Sequence, residues 1–274
     1  PPCAAANVPL LSPSAAARMC TAYFAQNPDV IPGVFTSMTP GAVPSTVKYA
    51  LAGRNLEKLE QVKKEMGCKS DVPIFVADAD DPAAVDAVVA QTKVVVALAG
   101  PFLLYGSNIV SACARFGTHY VDITGETAWV AKMIEEHEAA AIESGAVIVP
   151  LCGFDSIPSD IGCLVAVNEL RRAEPGAAIR RVDCVQHFPA AGASGGSMAN
   201  GPALAKNPIV LKSGKDLEDI FLLGGEPAGG PRPEDEFPTD AYEIVDGVWV
   251  RILALPPLLR SICGWCCGGR GRLS

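Results

Sequence analysis

Positive charge is scarce in this sequence of 274 residues, where 22 lysines and arginines stand against 30 aspartates and glutamates for a formal charge of −8. With no basic cluster present, this balance argues against nucleic acid as a partner. The sequence also lacks an apolar run of the roughly 20 residues that a membrane-spanning helix needs. Its longest candidates, at 94–104 and 252–263, are short or broken by proline, so we expect no transmembrane segment.

The pattern of cysteines and histidines indicates neither a disulfide framework nor a metal site. Most of the ten cysteines stand singly inside apolar runs, which is typical of reduced core thiols in a compartment that keeps them reduced. The cysteines at 263, 266 and 267 have the spacing of a redox pair or half a zinc site, but no second pair or nearby histidine completes a metal site. We therefore expect no metal. The three histidines form no recognisable serine–histidine–acid set, so hydrolase chemistry has little support.

The sequence begins at Pro1 without a methionine. We therefore expect either a processed form or part of a longer product, and a cleaved targeting segment would no longer be present. The compartment, cytoplasm or organelle, stays open.

What the sequence does contain is strand, helix and strand in close succession at its centre. The apolar run Val94–Ala99 predicts a strand buried on both faces, and Gly100-Pro101 predicts a tight turn at its carboxyl end. Ser107–Phe116 has helical spacing, with Gly117 as its stop, and His119–Thr124 predicts the next strand. This order is typical of a right-handed parallel crossover.

The same alternation extends on both sides of this centre. Further strands are predicted at 7–11, 47–52, 72–77 and 147–151, and further helices at 15–26, 56–66, 82–91, 128–144 and 159–172. The inward residues predicted on the first two helices are Met19, Tyr23, Phe24, Leu56, Leu59 and Val62. We therefore predict an α/β fold with a doubly wound parallel sheet in residues 1–175. A second unit begins near Gly176, where alternating residues at 179–188 predict a strand of a different sheet.

Ligands of open parallel sheets bind beyond the carboxyl ends of the strands, so the turns there are candidate site residues. Arg54 follows the second strand, where an acidic residue favours a free ribose 2′-hydroxyl and an arginine suits a 2′-phosphate. If a dinucleotide binds, NADP is therefore preferred over NAD; the alternative is a turn with a surface arginine. Asp78, after the third strand, either approaches the adenine or serves as a turn residue.

The turn between the first strand and the first helix contains no glycine. Dinucleotide folds use a glycine-rich turn here, so that the backbone can approach the pyrophosphate. Ser12 or Ser14 can still cap the helix, but Pro13 removes an amide donor and each Cβ holds the backbone farther from a phosphate. The turn therefore predicts weak pyrophosphate binding.

Five segments resemble the saccharopine dehydrogenase-like oxidoreductase family in order and spacing. They are Leu51-Ala-Gly-Arg-Asn-Leu-Glu-Lys-Leu, Asp78-Ala-Asp-Asp-Pro, Gly100-Pro-Phe-Leu-Leu-Tyr-Gly, Gly117-Thr-His-Tyr-Val-Asp-Ile-Thr-Gly-Glu and Cys152-Gly-Phe-Asp-Ser-Ile-Pro-Ser-Asp. The resemblance implies a Rossmann-type NAD(P)-binding domain in residues 1–175. It also implies an α+β substrate or oligomerisation domain in 176–274, which is shorter here than in the family.

The resemblance also implies roles for single residues. Arg54 would face the adenosine phosphate or ribose, Asp78 would lie near adenine, and Gly100 with Pro101 would lie near the nicotinamide-side ribose. Hydride would pass between the nicotinamide and an unsaturated or imine-like small-molecule substrate. The candidate proton donors, each of which could equally be structural, are Tyr105, Tyr120 and Asp155.

A second hypothesis treats the chain as a non-catalytic structural or assembly subunit of a larger organellar or membrane-associated complex. The missing glycines and the short second domain favour it. An apolar stretch at 252–265 that needs a cover also favours it, and with it a protein partner or an oligomer. NADP binding separates the two hypotheses directly.

The turn at Ser12–Ala17 predicts that this chain binds NADP less tightly than a variant with glycines at 11, 14 and 17, because the glycines reopen the approach to the pyrophosphate. Calorimetric titration of NADP into both proteins checks this. Native affinity in the low micromolar range or tighter, unchanged by the glycines, would contradict the prediction.

Overall fold

The computed structural model describes residues 8–11, 15–26, 48–154, 156–176, 202, 222–223, 242–244 and 248–250. These residues belong to two compact units. The first contains the described residues up to 123, together with 133–150 and 202, and the second contains 124–132 and the others from 151 onward. The strand expected at 179–188 lies outside these ranges, and the domain boundary expected near Gly176 lies at the end of one of them. Both therefore stay predictions.

The first unit is built on strands and helices that alternate along the chain. The strands are β1 (Val8–Leu11), β2 (Tyr49–Gly53), β3 (Ile74–Val76), β4 (Val94–Ala97), β5 (His119–Asp122) and β6 (Ile148–Val149). The helices between them are α1 (Ala15–Gln26), α2 (Leu56–Glu65), α3 (Pro82–Val89), α4 (Phe102–Tyr105), α5 (Ser107–Phe116) and α6 (Thr127–Ser144), the last of which begins in the second unit. The second unit also contains α7 (Ile157–Ala173) and an antiparallel pair, β7 (Tyr242–Ile244) and β8 (Val248–Val250).

The six strands of the first unit form one parallel sheet in the order β3-β2-β1-β4-β5-β6. Leu10 of β1 lies beside Leu51 of β2 on one side and Val96 of β4 on the other. This is the strand order of the doubly wound dinucleotide-binding fold. The Rossmann-type parallel sheet expected from the sequence is thus confirmed. Among the described residues, no helix is long and apolar enough to cross a membrane.

Local sequence fixes the ends of several helices. The side chain of Asn55 accepts a hydrogen bond from the Lys58 amide at 2.9 Å and caps α2. Asp81 accepts from the amides of Ala83 and Ala84 and caps α3, whose first residue is proline as predicted. Gly117 ends α5 in the left-handed region at φ 70°, also as predicted.

The hydrophobic core beside α1 and α2 uses smaller residues than the sequence suggested. Its buried residues are Ala17, Leu51, Leu59, Val62, Val72 and Leu98. Leu59 and Val62 were expected there, but Met19 is 68% exposed, and Tyr23 and Leu56 are each 49% exposed. The prediction that these three face inward was wrong. On α1, Ala17 and Thr21 are the buried residues, since a helix packed closely on a sheet leaves little room for large side chains.

The strand predicted at 147–151 is also shorter and less buried than expected. Only Ile148–Val149 pairs with β5, and Val149 is 42% exposed. Within the described residues β6 is an edge strand of the sheet, with β5 as its one neighbouring strand.

Substituting Gly117 with alanine tests the packing at the end of α5. Both Gly117 and Gly145 have positive φ, but a Cβ at 117 would lie 2.9 Å from the Ser144 carbonyl oxygen, whereas a Cβ at 145 would meet nothing within 4 Å. We expect Gly145→Ala to lower the free energy of unfolding by about 1 kcal/mol through its backbone conformation alone. Gly117→Ala should cost at least about 1 kcal/mol more, because the steric clash adds to that strain. Urea denaturation measures both, and equal losses would contradict the steric contribution.

Candidate functional site

A cavity of about 570 Å³ opens in the first unit where β2, β3 and β4 end. Its polar lining consists of Arg54, Asn55, Lys58, Asp78 and Tyr105. Its larger apolar side chains are Val85, Val88, Val89, Val95 and Ile109, and Gly53 and Gly100 also line it. The cavity therefore lies on the edge of the sheet where the strand order predicts a ligand.

Two cationic side chains mark one part of this cavity. Arg54 directly follows β2, and Lys58 lies in the first turn of α2; both are exposed. In the part of the chain that the structure describes, neither forms an ion pair. Both are therefore available to an anionic ligand near the amino end of a helix, where negative charge is favoured.

Lys58 was missed in the sequence, where Arg54 was considered alone. The signal that could have found it is the capping residue between them. Once Asn55 is identified as the cap of α2, Lys58 falls in the first turn, close to the end of β2.

The loop after β3 supplies an acceptor to the cavity. Asp78 and Ala79 both line it, and Oδ1 of Asp78 accepts a hydrogen bond from the Asp80 amide at 3.1 Å. The neighbouring valines of α3 give this cavity apolar walls suited to a flat ring. A carboxylate can only accept hydrogen bonds, so a ligand group beside it must donate.

The turn after β4 contributes Gly100 to the cavity lining, whereas Pro101 is buried at the start of α4. A Cβ on Gly100 would lie 3.4 Å from the Phe102 ring, so glycine keeps this turn uncrowded. The neighbouring Ala99 also lines the cavity.

The three candidate proton donors have different surroundings. Tyr105 is half-buried and lines the cavity. Tyr120 is completely buried, and its hydroxyl donates a hydrogen bond to Oδ2 of the buried Asp122 at 2.8 Å. Tyr120 is not part of the cavity lining. Asp155, like Ser12 and Ser14, lies outside the described residues.

The cysteines in the described residues are free, but only Cys113 is buried, and Cys20, Cys68, Cys152 and Cys163 are partly exposed. Burial raises the pKa of the Cys113 thiol to about 12, so this side chain stays protonated and unreactive at neutral pH. Burial also raises the pKa of Cys20. No three histidine, cysteine, aspartate or glutamate side chains come together as a metal site in the described part, and Cys263–Cys267 lies beyond it.

The residues of the cavity fit a phosphorylated purine nucleoside. Arg54 and Lys58 suit a phosphate, the apolar walls suit a base, and Asp78 suits an amino group. The structure thus brings together Arg54, Asp78 and Gly100, three of the residues that the sequence nominated for cofactor binding, and adds Lys58.

Comparison with known proteins gives a family for this region. Residues 42–149 match the saccharopine dehydrogenase NADP binding domain. A trans-acting enoyl reductase of Mycobacterium leprae is 34% identical over 201 residues, which are 69% of this chain and 47% of that protein. A trans-acting enoyl reductase of Mycobacterium tuberculosis is 42% identical over 118 residues, 43% of this chain and 28% of that protein. The chain therefore spans half or less of the length of these relatives.

Solved structures of low identity are also similar in part. Apo saccharopine dehydrogenase (L-Glu forming) from Saccharomyces cerevisiae has a TM-score of 0.42 at 20% identity, covering 61% of this chain and 32% of that chain. Triphenylmethane reductase from Citrobacter sp., complexed with NADP(H), has a TM-score of 0.32 at 15% identity, covering 60% of this chain and 55% of that chain.

Removing the arginine of the cavity should separate the two dinucleotides. We expect Arg54→Ala to weaken NADP binding about ten- to a hundredfold, or roughly 1.5–3 kcal/mol, while NAD binding changes little, because only NADP carries a ribose 2′-phosphate for the guanidinium. Lys64→Ala is the matched control, since it removes one positive charge from the last turn of α2, away from the cavity lining. Fluorescence titration at one salt concentration measures all six affinities, those of the native chain and both variants for each dinucleotide, and an equal loss for NADP and NAD would exclude Arg54 from the 2′-phosphate role.

Proposed function

Because residues 42–149 carry the NADP-binding domain of the saccharopine dehydrogenase family, we propose that this chain is part of an NADP-dependent oxidoreductase that reduces a carbon–carbon double bond of an enoyl substrate. The observation that carries the proposal is the cavity at the carboxyl ends of β2, β3 and β4, with Arg54 and Lys58 at one part of its lining. The substrate class is taken from the relatives named trans-acting enoyl reductases.

The proposed roles follow from the chemistry of each side chain. Arg54 and Lys58 bind the 2′-phosphate, and the valines of α3 pack against the adenine. Gly100 leaves room at the end of β4 for the ribose on the nicotinamide side. The bound cofactor supplies the hydride, and the contribution of the chain is to hold and orient it.

Tyr105 is the better placed of the two described tyrosines for a contact with the cofactor. It lines the cavity, whereas the Tyr120 hydroxyl is buried and already bonded to Asp122. We therefore propose Tyr120 as a structural residue of β5 and leave the proton donor unassigned.

The alternative of a non-catalytic structural subunit is not favoured. A chain retained only for assembly has no need for two cations in a cavity lining that have no ion-pair partner among the described residues, and the family of the matched region is one that binds NADP. Association with a protein partner or with a second copy stays a prediction, which light scattering of the purified chain can check.

Reduction of an α,β-unsaturated acyl thioester tests the proposal. With such a thioester and NADPH, the chain should consume NADPH, and kcat/KM with NADH should be at least about tenfold lower because NADH lacks the 2′-phosphate. The loss of NADPH absorbance is followed, with the saturated thioester as the control. NADPH binding without consumption would contradict the enoyl substrate, and no NADPH binding would contradict the proposed function as a whole.

A further inference from the structure

The loop between β3 and α3 is held from outside the cavity by a residue of α5. Nδ2 of Asn108, in the first turn of α5, donates a hydrogen bond to the Ala79 carbonyl at 2.8 Å. Asn108 itself is not part of the cavity lining, although Tyr105 and Ile109 on either side of it are. The contact is partly buried and joins segments 29 residues apart in sequence.

The same loop presents Asp78 to the cavity. Oδ1 of Asp78 is already engaged by the Asp80 amide, and within the described residues no hydrogen bond involves Oδ2. An ionised carboxylate accepts hydrogen bonds and cannot donate one. A purine with an amino group at position 6 offers a donor there, whereas a purine with an oxo group at position 6 offers an acceptor there and moves its donor to N1.

We propose that Asn108 is a positioning residue that fixes Ala79, so that Asp78 selects a 6-amino purine over a 6-oxo purine. The inference rests on the proposed function, because it concerns the adenosine end of the same cofactor. The hydrogen bond from Asn108 holds the residue next to Asp78 along the chain. Without that bond the loop can move, and a displacement of about 1 Å is enough to lose a well-aligned hydrogen bond.

Comparison of NADP with nicotinamide hypoxanthine dinucleotide phosphate tests this inference. The two differ in the amino or oxo group at position 6 and in the hydrogen that hypoxanthine carries on N1, so the ratio of their dissociation constants isolates the contact with this edge of the base. We expect the unaltered chain to prefer NADP at least about tenfold, which is the scale of one hydrogen bond to a charged group. Asn108→Ala should bring the ratio close to one by weakening NADP, and Asp78→Asn should do the same, because an amide can also donate.

Gln91→Ala is the matched control. Nε2 of Gln91 donates to the Ala87 carbonyl at 2.6 Å, so this variant removes the same kind of bond from an exposed place that does not line the cavity. It should leave the ratio unchanged. If Asn108→Ala does not fold, Asn108→Asp keeps the size of the side chain while removing the amide donor, and the same loss of preference is expected.

Two results would overturn the inference. Equal weakening of both dinucleotides by Asn108→Ala would assign Asn108 to general stability, and the proposed function would stand. Failure of the unaltered chain to bind NADP would overturn the proposed function and this inference together. The two failures are therefore distinguishable in one set of titrations.

Discussion

The parallel pairing of β3, β2, β1 and β4 is the constraint on which the rest of the candidate site depends. Because these strands run in one direction, the residues that follow them reach one edge of the sheet although they are far apart in sequence. Gly53, Asp78 and Gly100 line one cavity for that reason. An antiparallel strand in the same place would have taken its turn to the opposite edge, and no cavity of this composition would form.

Local charge at this edge opposes the charge of the whole chain. The formal charge of −8 repels an anionic dinucleotide at long range, but salt screens that repulsion beyond about 10 Å. In the proposed complex, Arg54 and Lys58 act at contact distance, beside the amino end of α2, where the backbone also favours an anion. Asp78 lines the same cavity, and a carboxylate beside a phosphate would be unfavourable. A ligand that suits both the two cations and Asp78 therefore carries its phosphate and its amino group at separate ends, as an adenosine 2′-phosphate does.

Much of the fold could be predicted from single residues whose backbone chemistry is local. Asp81 with Pro82 and the left-handed Gly117 mark helix ends, and these ends were found. The burial of Met19 was predicted wrongly, because periodicity ranks side chains by hydrophobicity and does not show how close a helix lies to its sheet. Asn108 gave no signal at all, since its partner is a backbone carbonyl on a distant loop. Contacts of that kind depend on the assembled fold and have no pattern along the chain.

Ala17 shows why a first turn without glycine is compatible with this fold. In the dinucleotide-binding fingerprint the last glycine allows close helix–strand packing, and alanine is accepted there. Ala17 is 1% exposed and packs in the core with Leu51 and Leu98, so its methyl group serves that packing. The predicted loss of NADP affinity comes from the earlier positions of the turn, where glycine would let the backbone approach the pyrophosphate. If this turn binds the pyrophosphate weakly, as the sequence predicts, the cofactor is held mainly by other groups. We propose that Arg54 and Lys58, in the cavity beyond β2, are those groups, so cofactor preference in this chain should depend on the adenosine end.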